Sequence, residues 1–163
     1  MTKRLLIIGY ILCGCITLTS CERDDICAES TPVTPLLVID FFDIENPTEP
    51  KTPTDLIVVE SGGANQLAFN TATISIPLRT DTDQTNFLFA INAGNENSEN
   101  IDGFTVSYVR TEEYISKACG FRVTYDAIDP NRTAGTDDFW IQDIQVINTS
   151  VEDETSAHIQ IFH

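Results

Sequence analysis

The chain has 163 residues, 25 of them acidic and only nine basic, for a net charge of −16 at pH 7. So acidic a balance, without a basic stripe or cluster, excludes nucleic acid as a partner, because nothing is present to displace the counterions of a phosphate backbone. The length suits one domain of ordinary size, which buries roughly 68–70% of its unfolded surface.

The chain opens Met1-Thr2-Lys3-Arg4 and continues through an uncharged run from Leu5 to Leu12 that ends near Leu18. Two cations before a short apolar stretch have the layout of a secretory signal peptide, and the run is short for a membrane span of ~20 residues. It closes on Leu18-Thr19-Ser20-Cys21, which resembles the lipobox of bacterial lipoproteins. On that pattern residues 1–20 form a lipoprotein signal peptide, and Cys21 becomes the acylated amino terminus, carrying palmitate-type chains. The competing reading is an ordinary leader that happens to contain a cysteine. Each buried methylene contributes ~0.8 kcal/mol, so two or more acyl chains hold a protein stably on a membrane. Removing the leader takes two of the nine basic residues and no acidic one, leaving seven against 25 and a charge of −18. An anionic bilayer repels such a domain, so the lipid must hold it there.

Cys13 and Cys15 leave with the leader and Cys21 is lipidated, so Cys27 and Cys119 remain of the five cysteines. In an exported chain two cysteines are expected to pair, because the compartment is oxidising. Two unpaired buried thiols are the alternative. A metal site is not expected, since only His158 and His163 could join them and neither stands at a ligand spacing.

Residues 21–35 read as a polar, proline-limited tether, and residues 36–163 as the folded domain. Leu36 to Phe42 is dense in apolar and branched groups, and Leu56 to Val59 follows a stretch too rich in proline for helix. Four runs then alternate with period two: Ile74-Ile76-Leu78, Phe87-Phe89-Ile91, Phe104-Val106-Tyr108 and Phe121-Val123-Tyr125. Trp140 to Ile147 and His158 to Phe162 close the series. Gly62-Gly63, Asn92 to Asn100, Asp129-Pro130-Asn131 and Asn148 to Thr155 have turn or loop chemistry between them. Thr111 to Lys117 makes a helical turn or extends the strand before it, and Pro77 marks a strand at an edge or at its end. The expected fold is all-β: a single antiparallel, immunoglobulin-like two-sheet sandwich of seven to eight strands.

No catalytic residue stands out, and no cofactor motif is present. There is no Gly-x-Ser-x-Gly elbow and no phosphate loop. His158 and His163 are expected to flank the terminal strand and to face solvent or pack at an edge. Asp81, Asp83, Asp129, Asp137 and Asp138 cluster oxygen ligands in turns, a chemistry suited to Ca²⁺, yet none matches the EF-hand loop, and a solvated surface is the plainer reading. Trp140, Tyr108 and Tyr114 are aromatic enough to stack on a glycan, although such residues are more often core.

Ser20-Cys21-Glu22-Arg23-Asp24-Asp25-Ile26-Cys27, Thr34-Pro35-Leu36 through Asp43, Lys117-Ala118-Cys119-Gly120-Phe121 and the terminal His158-Ile159-Gln160-Ile161-Phe162-His163 resemble a family of lipoproteins of unassigned function from Bacteroidota. The resemblance implies an outer-membrane lipoprotein of the cell envelope, on its periplasmic face or at the cell surface, with a Cys27–Cys119 disulfide. Asp24-Asp25 is similar to surface-export signals, though Glu22-Arg23 comes first. The expected role is a non-enzymatic module that binds an envelope protein complex or a glycan. The alternatives are a small carboxylate-dependent hydrolase and a Ca²⁺- or glycan-binding surface module.

Overall fold

A computed structural model describes residues 26–133, 135 and 138–163. The leader, the lipidation residue Cys21 and the candidate ligand Asp137 lie outside these. The described chain forms nine strands and, among the described residues, no helix: β1 Leu37–Phe42, β2 Leu56–Glu60, β3 Gln66–Phe69, β4 Thr73–Ile76, β5 Gln84–Ile91, β6 Asn100–Ser116, β7 Gly120–Thr133, β8 Asp143–Val146 and β9 Ile159–Phe162. They divide between two compact units. Residues 32–113 with 122–163 make the larger, and residues 26–31 with Tyr114–Phe121 make the smaller.

In the larger unit two sheets form a β-sandwich, one of four strands in the order β4-β1-β9-β8 and one of five in the order β3-β2-β5-β6-β7. The runs that alternate in sequence are the strands that alternate in burial. Along β5, Thr85, Phe87 and Phe89 are buried while Gln84, Asn86 and Leu88 are exposed. Opposite sides of the pleat see opposite solvents, so period two in hydrophobicity becomes a core face and a wet face. One continuous cluster fills the space between the sheets, with Phe41, Ile39 and Ile161 from one and Phe89, Phe104 and Tyr125 from the other. Burying each such side chain contributes about 1.5–3 kcal/mol.

The structure departs from the sequence expectation in four places. A ninth strand, β3, is present; its first three residues are exposed, so no burial alternation marks it, and pairing with β2 alone holds it at the sheet edge. The sandwich is dominated by antiparallel pairs but contains one parallel pair, β1 with β9, in the register Ile39↔Ile159 to Phe42↔Phe162. Asp129-Pro130-Asn131 lies within β7 rather than in a turn. The proline is tolerated there because β7 is last in the strand order of its sheet, and beyond it lie only the Tyr125–Val151 bridge and the Ile128 N–H bond to the Thr149 carbonyl, which stop short of Pro130 among the described residues. The strand expected from Trp140 begins only at Asp143, since Trp140 and Ile141 are buried in the crossover that leads to it.

Two open points resolve. Thr111 to Ser116 extends β6, and β4 both lies at a sheet edge and ends immediately before Pro77.

In the smaller unit, Lys117-Ala118-Cys119 connects β6 to β7. The link closes on Gly120 at φ 72°, a left-handed conformation that glycine adopts without a Cβ penalty.

Candidate functional site

The two cysteines among the described residues are joined. Cys27 and Cys119 form a disulfide with Cα atoms 4.9 Å apart across a separation of 92 residues. A turn closed by the Thr31 N–H donating to the Ala28 carbonyl at 2.9 Å supports one side. On the other, the Cys119 N–H donates to Ser116 Oγ at 3.1 Å. Beside the bond, the rings of Tyr114 and Phe121 meet edge to face with centroids 5.2 Å apart. They remain 59% and 64% exposed, the most open of the exposed aromatic side chains. The other two aromatics weighed as sugar-stacking residues, Trp140 and Tyr108, are buried in the core.

The acidic candidates separate on inspection. Arg79 grips Asp81 with both ends of its fork, Nε to Oδ1 at 2.9 Å and Nη2 to Oδ2 at 2.7 Å, and reaches Glu60 at 3.1 Å. That bond holds the Asp81 carboxyl below its usual range. Arg110 donates through Nε to Asp83 at 2.7 Å and also bonds the Thr80 carbonyl. Below them the Tyr108 hydroxyl donates to the Arg79 carbonyl at 2.9 Å, and Thr85 Oγ1 accepts the Arg79 N–H at 2.8 Å. Asp81 and Asp83 are therefore spent on shaping the loop between β4 and β5. Asp129 stands exposed on β7 and Asp138 exposed in the crossover. Among the described residues, no three His, Cys, Asp or Glu side chains come together as a metal-holding group.

The histidines flank β9, but His158 does not face solvent: it is 2% exposed, immediately ahead of β9 and bonded to Val38 of β1. Its Nδ1 accepts the Val38 N–H at 3.0 Å while its backbone N–H donates to the Val38 carbonyl at 2.9 Å. The side chain thus continues the parallel ladder by one rung. Burial holds its pKa below the ordinary 6.5. His163 is half-buried against the rings of Phe41 and Trp140, with Nε2 3.1 Å from the Lys51 carbonyl, and burial lowers its pKa too.

Asp102 is the functional-looking residue that the sequence reading passed over. It shares its side of β6 with Phe104, Val106 and Tyr108, so a carboxylate at an apolar-face position was the available signal. It is fully buried, and Oδ2 accepts the Ile141 N–H at 2.8 Å while Oδ1 has no hydrogen-bond partner. Burial raises its pKa from 3.8, opposed by the Ile141 N–H bond, by the neighbouring Trp140 backbone N–H and by Arg132. Arg132 also bonds the Ile141 carbonyl and stacks 4.5 Å over the Phe139 ring. Trp140 completes the lock, packing on Phe41 of one sheet and donating from Nε1 to the Phe89 carbonyl of the other at 3.0 Å. The group anchors the described part of the β7–β8 crossover.

The remaining surface features are shallow. On the outer side of the five-stranded sheet, Ile57, Val59, Leu88, Ala90 and Ile101 line an apolar depression of about 380 Å³. A smaller polar one of about 220 Å³ lies over Asn148, Ser150, Glu152, Asp153 and His158. In it Asp153 Oδ1 already accepts from the Thr155 N–H at 2.9 Å and from its hydroxyl at 2.6 Å.

No curated protein and no solved structure matches the chain. A family of unknown function, DUF6452, matches residues 52–163, from ahead of β2 through the end of β9 and including Cys119 and Asp102. The match covers more than half of the chain, and the protein belongs to this family.

Proposed function

We propose that the protein is a lipoprotein of the bacterial cell envelope, processed before Cys21 and held on the outer membrane by its acylated amino terminus, with a non-enzymatic role in binding or in supporting a larger complex. The observation that carries the proposal is the agreement of two independent features. Residues 3–21 have the layout of a leader ending in a lipobox, and the two cysteines left after processing, Cys27 and Cys119, are bonded. Disulfides persist in oxidising compartments such as a bacterial periplasm and rarely in a cytosol, so the bond favours export by a route that the leader alone does not use. The likeness of the Cys21–Cys27 and Cys119 segments to Bacteroidota lipoproteins supports the same reading.

The non-enzymatic part rests on how the titratable groups are engaged. His158 serves Val38, His163 faces the Lys51 carbonyl, and Asp102 serves Ile141. A nucleophile, a base and an orienting group converging on one cleft are what hydrolysis needs, and these residues serve the backbone instead. Exposed Leu88 and Ile101 on the outer side of the five-stranded sheet favour a binding surface over a reaction centre. Cys21→Ser tests the anchor: membrane fractions should lose the protein, and the unprocessed precursor mass should accumulate. A variant that still sediments with membranes at the processed mass ends the proposal.

A further inference from the structure

We propose that Tyr114 and Phe121 rest against the lipid surface that holds the acyl anchor, so that the chain meets the membrane through two aromatic rings as well as through lipid. The inference rests on the lipoprotein reading and adds a direct protein–lipid contact to it.

Reach limits where these rings can stand. Six residue steps separate Cys21 from Cys27, and a fully extended chain spans ~3.3–3.6 Å per residue, so Cys27 stays within about 20 Å of an acylated Cys21. The disulfide passes that limit to Cys119, whose Cα lies 4.9 Å from that of Cys27. Phe121 is two residues beyond Cys119, and its ring contacts Tyr114. Without the bond, the limit would fall only on the tether itself.

Chemistry then selects the occupant. Tyr114 and Phe121 are 59% and 64% exposed, and Ile26, adjacent to the disulfide, is 83% exposed. Three large apolar groups left open at one end of a short leash to a bilayer are suited to the headgroup and upper acyl region, where aromatic rings collect. Charge favours the same placement. The described charged residues of this unit are Glu29 and Lys117, which balance, in a chain whose processed charge is −18. Glu22, Arg23, Asp24 and Asp25 on the leash add three acids and one base. The contact is therefore with zwitterionic headgroups, and anionic lipid is not required.

The test uses the full lipidated chain in phosphatidylcholine vesicles with brominated acyl chains. Tyr114→Trp and Phe121→Trp each add one indole to the single native Trp140, and subtracting the wild-type emission isolates the added signal. Both positions are exposed and already aromatic, and circular dichroism checks that each variant keeps its strands. Flotation with the vesicles reads the anchor separately. The expected result is flotation together with blue-shifted added emission that brominated lipid quenches. Flotation with unquenched added emission overturns the contact and leaves the lipoprotein reading intact. Shielding that appears equally without lipid and rises with protein concentration assigns the rings to a second copy and also overturns it. Failure to float removes both.

Discussion

Three residues make the energetics of this sandwich concrete. Asp102 places a carboxylate where Phe104 and Val106 set an apolar environment, and the Ile141 N–H it accepts at 2.8 Å is what makes its burial tolerable. Removing the acceptor with Asp102→Ala leaves a buried N–H unmet, so unfolding titrations should record a loss of about 1–3 kcal/mol. Asp102→Asn retains an acceptor and removes the charge. A raised carboxyl pKa means that the folded state binds the proton more tightly, so the wild type loses stability as pH rises from 3.8 through the raised folded value. The Asn variant lacks that loss, and its melting temperature should gain on the wild type across the same window. His158 has the opposite sign. Its pKa is lowered from 6.5 by burial, so the unfolded chain takes up the proton first and stability falls as pH drops below 6.5. His158→Gln should cost stability at neutral pH and flatten the acid limb of the melting curve; an unchanged acid limb removes His158 as its source. Ala127 is the third residue. It sits at φ 51° inside β7, between Tyr125 and Ile128, which are both buried although three positions apart. That is a β-bulge, and an L-alanine in a left-handed conformation costs roughly 1–2 kcal/mol. Ala127→Gly should recover up to about 1 kcal/mol in equilibrium unfolding.

At the scale of elements, the strands divide by what secures them. The central strands β1 and β9 are held by burial on both sides and by a parallel ladder that His158 lengthens. The edge strand β3 has exposed residues and one neighbour. Amide exchange should therefore protect Ile39 and Ile161 to near the global limit while Leu67 and Ala68 exchange early. The link between β6 and β7 is secured covalently. Closing a separation of 92 residues contributes roughly 4–5 kcal/mol on the chain-entropy account, and measured values are often smaller. A Cys27→Ser/Cys119→Ser pair should lower the urea midpoint and steepen the slope, because the unfolded chain becomes less compact. No shift in midpoint would mean that the unfolded chain gains no freedom from losing the bond. The loop between β4 and β5 is secured differently, by arginines that neutralise Asp81 and Asp83 where they stand. These pairs are exposed, so they direct the loop more than they stabilise the fold.

For the whole molecule, charge is the dominant unspent quantity. A chain with nine basic against 25 acidic residues, or seven against 25 under the proposed processing, repels itself, which favours solubility and opposes compaction. Salt near ~0.15 M shortens the screening length to about 8 Å, so the melting temperature should rise between very low salt and that concentration. The same repulsion acts against anionic lipid. Vesicles rich in phosphatidylglycerol should thus hold the lipidated chain no more tightly than phosphatidylcholine vesicles, with acyl chains supplying the affinity. Binding that strengthens with anionic lipid would contradict this charge account.

The sequence by itself determined the elements whose physics is local. Period-two patterning at Phe87-Phe89 and Phe104-Val106-Tyr108 specified strands with one apolar side, because a pleat sends neighbouring side chains to opposite faces. The bond expected between Cys27 and Cys119 is present, and Pro77 marks a strand that both lies at an edge and ends before it. Tertiary structure decided whatever depends on a distant partner. Only the pairing of the first strand with the last made β9 parallel to β1, and only the place of β7 at the end of its strand order made Pro130 acceptable within a strand. Arg79 and Arg110 turned Asp81 and Asp83 from candidate ligands into loop braces, and the buried crossover at Ile141 gave Asp102 its partner. Those outcomes join residues up to 120 positions apart in the chain, as with Val38 and His158, and a local pattern contains no information about which far segment the fold brings into hydrogen-bond range.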